Sequence, residues 1–221
     1  MPTIELTAAD GHRLAAYVAQ PASTPRGALV VLQEIFGVNS HIRAVADGYA
    51  ADGYLAIAPA LFDRSERGVE LGYTDADIVR GRALKAASGD APALLDIAAA
   101  VQHVQGAGRV GVIGYCWGGY LAWVASGGVA GLAASVAYYG GGMPARADVK
   151  PRCPVQAHFG EHDGHIPLDG VAAMKSAHPS IELHLYAAGH GFNCDQRGSF
   201  DAASATLARE RTLAFLRRRI G

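Results

Sequence analysis

Charge is scarce in this sequence: 18% of its 221 residues are Asp, Glu, Lys or Arg, and they sum to −1 at neutral pH. So even a balance leaves no electrostatic footprint for nucleic acid, which is met first through clustered Lys and Arg. The one basic run, Arg217-Arg218-Arg219, closes a helical pattern, where it complements the negative end of the helix dipole. No stretch of about 18 or more apolar residues occurs, so no membrane span is expected. The opening Met1-Pro2-Thr3-Ile4-Glu5 lacks a basic segment leading into an apolar core, and no signal peptide is read there. Cysteine is rare too. Cys116, Cys153 and Cys194 make an odd number without framework spacing, which points to a reducing, cytoplasmic setting rather than a disulfide scaffold.

What is plentiful is apolar surface, at 50% of residues. That is enough for one full core, and residues 1–221 read as a single domain without repeat or linker. Thr3 to Ala8 and Arg13 to Val18 flank Asp10-Gly11, a tight-turn signal, so the chain opens on an expected β-hairpin. A continuous apolar run follows at 28–32, and further strands are read at 55–58, in the run ending at Gly114, at 133–139, at 154–159 and at 182–186. Runs of that kind belong to strands buried on both faces of a parallel sheet. Helical patterns separate them: one from Ser40, its expected cap, to Gly53, two near 75–88 and 91–105, one from Trp117, and one closing the chain. Residues 60–73 carry charges and glycines without period and are expected to be a surface excursion. The fold class predicted is α/β, a mostly parallel central sheet flanked by helices.

The chain is organised around Arg109 to Tyr120, where an apolar run meets a helix pattern at Gly114-Tyr115-Cys116-Trp117-Gly118. Gly-x-Cys-x-Gly is the spacing of a nucleophile elbow, with cysteine in the usual serine place. A strand that turns at once into a helix crowds its own backbone, so the residues two before and two after the nucleophile must lack side chains. The turn lifts the sulfur above the sheet at a helix N-terminus, where unpaired N–H groups favour negative charge. A buried, inert cysteine in an ordinary turn has the same five residues. The downstream order decides between them.

Cys116, Asp163 and His190 occur in the order nucleophile, acid, histidine, the chain order of the α/β-hydrolase fold. Together with Glu34 they fall just past predicted strands, where ligands gather in such sheets. Cys116 would attack a carbonyl carbon, His190 would move the proton, and Asp163 would fix the imidazole tautomer. Asp195 is a rival acid, set behind Asp163, which precedes Pro167 in the turn after a strand. His158, His162 and His165 carry a helical metal spacing on a strand end and a loop, so no metal is expected of them. Glu34 follows the first buried strand, where a carboxylate is costly unless something uses it. The loop it begins supplies an oxyanion donor in this fold, which makes the backbone N–H groups of Ile35 and Trp117 the oxyanion-hole candidates.

Gln33-Glu34-Ile35-Phe36-Gly37-Val38-Asn39, Gly114 to Gly119, Tyr138-Tyr139-Gly140, Gly189-His190-Gly191-Phe192 and Ala208 to Leu216 together resemble the dienelactone hydrolase (carboxymethylenebutenolidase) family. The resemblance covers essentially the whole chain. It implies a Cys116–His190–Asp163 triad, with Glu34 contacting the thiol and helping to form thiolate once substrate is bound. It implies hydrolysis of an enol-lactone, dienelactone, to maleylacetate, and no cofactor. The family's substrate carries a carboxylate gripped by arginines. Here the sequence departs, since Cys194 stands four residues after His190 where an arginine is expected. Arg80 or Arg82 is the candidate for a second arginine, and Arg197 is not counted on to take the missing one's place. Tyr138 and Phe36 complete the substrate-binding candidates.

The function expected is therefore hydrolysis of a small ester or lactone through a cysteine nucleophile and a thioester. The missing arginine motivates a broader carboxylesterase or lactonase acting on less anionic substrates. A reading from another class is a non-catalytic ligand-binding or thiol-redox protein on the same fold, for which only Cys194 is placed to approach Cys116. The expected partner is a small molecule, with neither nucleic acid nor membrane, and the chain is expected to be a monomer or weak homodimer.

Overall fold

Asp10 and Gly11, the latter at φ 83°, turn the chain between β1 (Thr3–Thr7) and β2 (Arg13–Ala19), which pair antiparallel with Thr3 opposite Tyr17. The computed structural model describes residues 3–221; Met1 and Pro2, part of the stretch read for a leader, lie outside the described residues. The remaining strands are β3 (Ala28–Leu32), β4 (Leu55–Pro59), β5 (Val110–Tyr115), β6 (Leu132–Tyr138), β7 (Val155–Gly160) and β8 (Glu182–Tyr186). Among the described residues these strands form one eight-stranded sheet in the order β1-β2-β4-β3-β5-β6-β7-β8. The hairpin is its antiparallel edge, and from β4 to β8 all neighbours run parallel.

Side chains alternate across a strand, so a central apolar run feeds two cores at once. In β3, Leu29 and Val31 face one core and Ala28, Val30 and Leu32 the other. The first core is closed by α1 (Ser40–Ala51) and α6 (Ala202–Arg219) through Ile42, Ala46, Tyr49, Phe215 and Leu216. The second is closed by α3 (Asp90–Val104) and α4 (Trp117–Gly128) through Ile97, Val101 and Leu121. Two more helices, α2 (Asp75–Ser88) and α5 (Leu168–Ala177), lie at 75–88 and 168–177. Among the described residues no helix is long and apolar enough to cross a membrane.

Two local expectations are corrected. Asn39, not Ser40, caps α1: its Oδ1 accepts from the Ile42 N–H at 3.2 Å, and Ser40 is already helical. Residues 60–73 are a surface excursion only in part: Ser65 to Gly68, Glu70 and Gly72 are exposed, but the segment is anchored at both ends. Leu61 and Phe62 are fully packed in a short 3₁₀ turn, and Val69 and Leu71 are buried. The Leu61 N–H donates to Gln33 Oε1 at 3.0 Å, the Leu71 N–H to Phe36 O at 2.9 Å, and Asn39 Nδ2 to Leu71 O at 3.0 Å. These anchors tie the segment onto the loop after β3, satisfying backbone groups that would otherwise be buried unpaired.

Candidate active site

The turn after β5 has the form its glycines require. Cys116 sits at φ 54° and ψ −113°, a conformation sparsely open to any residue with a side chain. A Cβ on Gly114 would lie 1.9 Å from the Gly118 carbonyl oxygen, and one on Gly118 would lie 2.4 Å from that of Leu32. The Cys116 N–H donates to the Tyr138 carbonyl at 3.0 Å, so the strained residue is pinned to β6. Trp117 opens α4, and a helix's first N–H groups have no partner within the helix. Its ring stacks on Phe62 at 5.2 Å, the residue that the 3₁₀ turn carries inward.

Asp163 and His190 arrive from the loops after β7 and β8. His190 Nδ1–H donates to Asp163 Oδ2 at 2.7 Å, and the His165 N–H donates to Oδ1 at 2.8 Å. Burial works against charge on Asp163, but the His190 hydrogen bond leads the opposing effects and holds its carboxyl below the ordinary value. Burial likewise works against a charged His190. The hydrogen bond to Asp163 and the nearby Cys116 sulfur outweigh it and push the imidazole up to about 10. The rings of Tyr139 and His165 meet it edge-on at 5.1 and 5.3 Å.

Cys116 and His190 open on a pocket of about 200 Å³ whose walls include Ile35, Phe36, Arg82 and Arg197. Ile78, Lys85, Gly141 and His165 complete it, none of them expected from the sequence. A signal for two of them was available. Ile78, Arg82 and Lys85 are spaced by four and three residues, one face of the helix predicted over 75–88. The same geometry corrects Arg80: two residues from Arg82, it projects elsewhere and pairs with Glu66 at the surface. Tyr138 is also displaced from the expected role. It is buried with its hydroxyl on Thr212 Oγ1 at 2.7 Å and its ring stacked on His158, while the next residue, Tyr139, is the one against His190.

Glu34 is 1% exposed. Tyr73 donates to its Oε2 at 3.3 Å, and Arg197 Nη1 lies 3.5 Å from its Oε1. Arg197 also lies over the rings of Phe36 and Tyr73, at 5.8 and 5.9 Å. The arginine not counted on from the sequence thus reaches back to the carboxylate, because the loop after His190 doubles under itself, with the Arg197 N–H on Cys194 O. Cys194 is fully buried beneath it. Asp195, the rival acid, pairs instead with His41 at 3.3 Å. His158 is spent on Tyr186 and Thr212, at 2.7 and 3.1 Å.

With this geometry, comparison with known proteins becomes specific. A family model described as the dienelactone hydrolase family matches residues 14–220. A carboxymethylenebutenolidase of Pseudomonas putida is 34% identical, with 96% of this chain and 94% of the relative covered. A candidate carboxymethylenebutenolidase of Synechocystis sp. is also 34% identical, over 89% of this chain and 88% of the relative. The crystal structure of a candidate dienelactone hydrolase from Klebsiella pneumoniae superposes with a TM-score of 0.83 at 31% identity, covering 97% of this chain and 98% of that one.

Proposed function

The chain belongs to the dienelactone hydrolase family, with the α/β-hydrolase fold, and from that premise we propose that Cys116 is the nucleophile of a Cys-His-Asp hydrolase acting on small esters and enol-lactones. The sulfur attacks the carbonyl carbon, and the oxyanion formed is met by the Ile35 and Trp117 N–H groups. As the bond forms, His190 takes the thiol proton and gives it to the departing enol or alcohol oxygen, and the acyl group is left on Cys116 as a thioester. Neutral His190 then takes a proton from water, whose oxygen displaces the sulfur, and returns that proton to the sulfur, while Asp163 steadies each imidazolium that forms. The observation that carries this reading is a strained Cys116 sharing its pocket with a histidine bonded at 2.7 Å to Asp163.

The substrate favoured is anionic, of the dienelactone type that gives maleylacetate. Arg82, Lys85 and Arg197 all border the pocket, and a guanidinium fork suits a carboxylate. An anion drawn to Arg197 takes that cation's attention from Glu34, which is then free to support the thiolate. Cys194 in the arginine's expected place favours the second reading, a broader esterase or lactonase on neutral substrates. The ratio of kcat/KM for dienelactone to that for a neutral ester of similar size separates the two. The mechanism has its own test. Rapid-quench intact-mass analysis with a slow aryl ester should find a hydroxylamine-sensitive acyl group on the Cys116 peptide, and Cys116→Ala should be inactive. Full hydrolysis by Cys116→Ala would reject the thioester route.

A further inference from the structure

We propose that Glu34, His41 and Cys194 form a binding site for a zinc-type divalent cation, beside the hydrolytic pocket and distinct from Cys116, His190 and Asp163. One ligand atom from each of the three side chains lies within 4.8 Å of the others, and all three residues are buried. A carboxylate, an imidazole and a thiol make a mixed donor set of the kind that holds zinc or cobalt.

Two of those donors make no hydrogen bond, where a buried polar atom without one is costly. Glu34 Oε1 and His41 Nε2 are both buried without a hydrogen bond. The neighbours orient them toward a common guest. Asn39 Nδ2 donates to the Tyr73 hydroxyl at 3.2 Å, and that hydroxyl donates to Glu34 Oε2 at 3.3 Å, which leaves Oε1 with no hydrogen bond and only the Arg197 ion pair at 3.5 Å. His41 Nδ1 faces Asp195 Oδ1 at 3.3 Å, so the ring proton belongs on Nδ1 and Nε2 keeps its lone pair. A ligating histidine is commonly held by a carboxylate on its far nitrogen in this way. His41 and Asp195 border a second cleft of about 290 Å³, between α1 and α6, which gives an ion a route in.

Charge balances without another reactant. Without an ion, Arg197 at 3.5 Å is the countercharge beside Glu34 among the described residues. A divalent cation displaces the Cys194 proton to solvent and binds the sulfur as thiolate, which with the Glu34 carboxylate neutralises it. The three donor atoms must draw in by about 1 Å to reach bonds of ~2.0–2.3 Å. Because Glu34 is shared with Arg197, binding should be weaker than in a closed structural site and readily reversed by chelators.

Cobalt(II) is the probe, since thiolate–cobalt charge transfer absorbs in the near ultraviolet and reports sulfur ligation apart from any activity. Chelator-treated protein titrated with cobalt should give that band, saturating at one ion per chain. The band should persist in Cys116→Ser and vanish in Cys194→Ser. Asp195→Ala, at an exposed position, should weaken binding about 10–100-fold by releasing His41. Absence of the band in intact protein would overturn the proposal, as would its loss in Cys116→Ser or its survival in Cys194→Ser. An unchanged midpoint in Asp195→Ala would remove His41 from the site.

Discussion

Cys116 holds its sulfur in place at the expense of its own backbone. A side chain at φ 54° and ψ −113° costs ~1–3 kcal/mol, a strain that glycine does not feel. Glycine gives back ~0.5–1 kcal/mol through its freer unfolded chain. Cys116→Gly should therefore be more stable than Cys116→Ala by on the order of 1 kcal/mol, although both lose the thiol. Denaturant midpoints compare them, and a Cys116→Gly midpoint below that of Cys116→Ala would mean that the elbow stores no strain. The neighbouring pair makes a prediction in pH. His190 is raised from 6.5 to about 10, so its contribution to stability is full below pH 6.5 and fades as pH climbs toward 10. Asp163 is lowered from 3.8, so its contribution is present above that pH and is lost as pH falls through the folded value. The stability gap between the parent and His190→Gln should thus be widest near pH 6 and narrow steadily into the alkaline range. A gap that widens with rising pH would reverse the assignment of charge to this histidine.

Positions in the pocket are set by how helices dock as much as by the strand ends. The approach of α2 to the loop after β3 is decided by Gly81, where a Cβ would lie 2.1 Å from the Ile35 carbonyl oxygen. Gly81→Ala should push α2 from that loop, moving Arg82 and Lys85 together with the peptide that bears the proposed oxyanion donor. An overpacked contact of this kind costs ~1–3 kcal/mol, and a lost oxyanion donor lowers kcat by about 10²–10³-fold. Both unfolding and kcat should respond, and a variant with unaltered kcat would separate α2 from the oxyanion loop. Much of this layout was legible in the sequence, because buried parallel strands write themselves as apolar runs and functional loops follow their ends. The elbow, Asp163, His190 and the helix over 75–88 all came from that local grammar. What was not legible rests on contacts between distant segments. Gln33 reaching Leu61, Asn39 reaching Leu71 and Arg197 folding back on Glu34 leave no mark in any short window of residues. Tyr138 and Tyr139 show the finer limit: which of two adjacent tyrosines faces His190 depends on where β6 ends.

The molecule as a whole is nearly neutral at −1, so no long-range field from the entire surface draws an anion in. Selection for charge must come from the pocket. There the carboxylates are already answered, Glu34 by Arg197 and Asp163 by His190, whereas Arg82 and Lys85 border the same space from α2 without an acid among the lining residues. The pocket wall is therefore a local positive field on a neutral body, and salt should act on it selectively. Between about 0.01 M and about 1 M salt the screening length contracts from ~30 Å to ~3 Å. For an anionic lactone, kcat/KM should fall several-fold across that range, mainly through KM, while the value for a neutral ester of similar size stays flat. Arg82→Gln with Lys85→Gln should lower the anionic rate at low salt and flatten its salt dependence, leaving the neutral ester close to the parent. Parallel salt curves for the two substrates would mean that the pocket cations do not read substrate charge, and that the scaffold serves the neutral esters which Cys194, in place of an arginine, also permits.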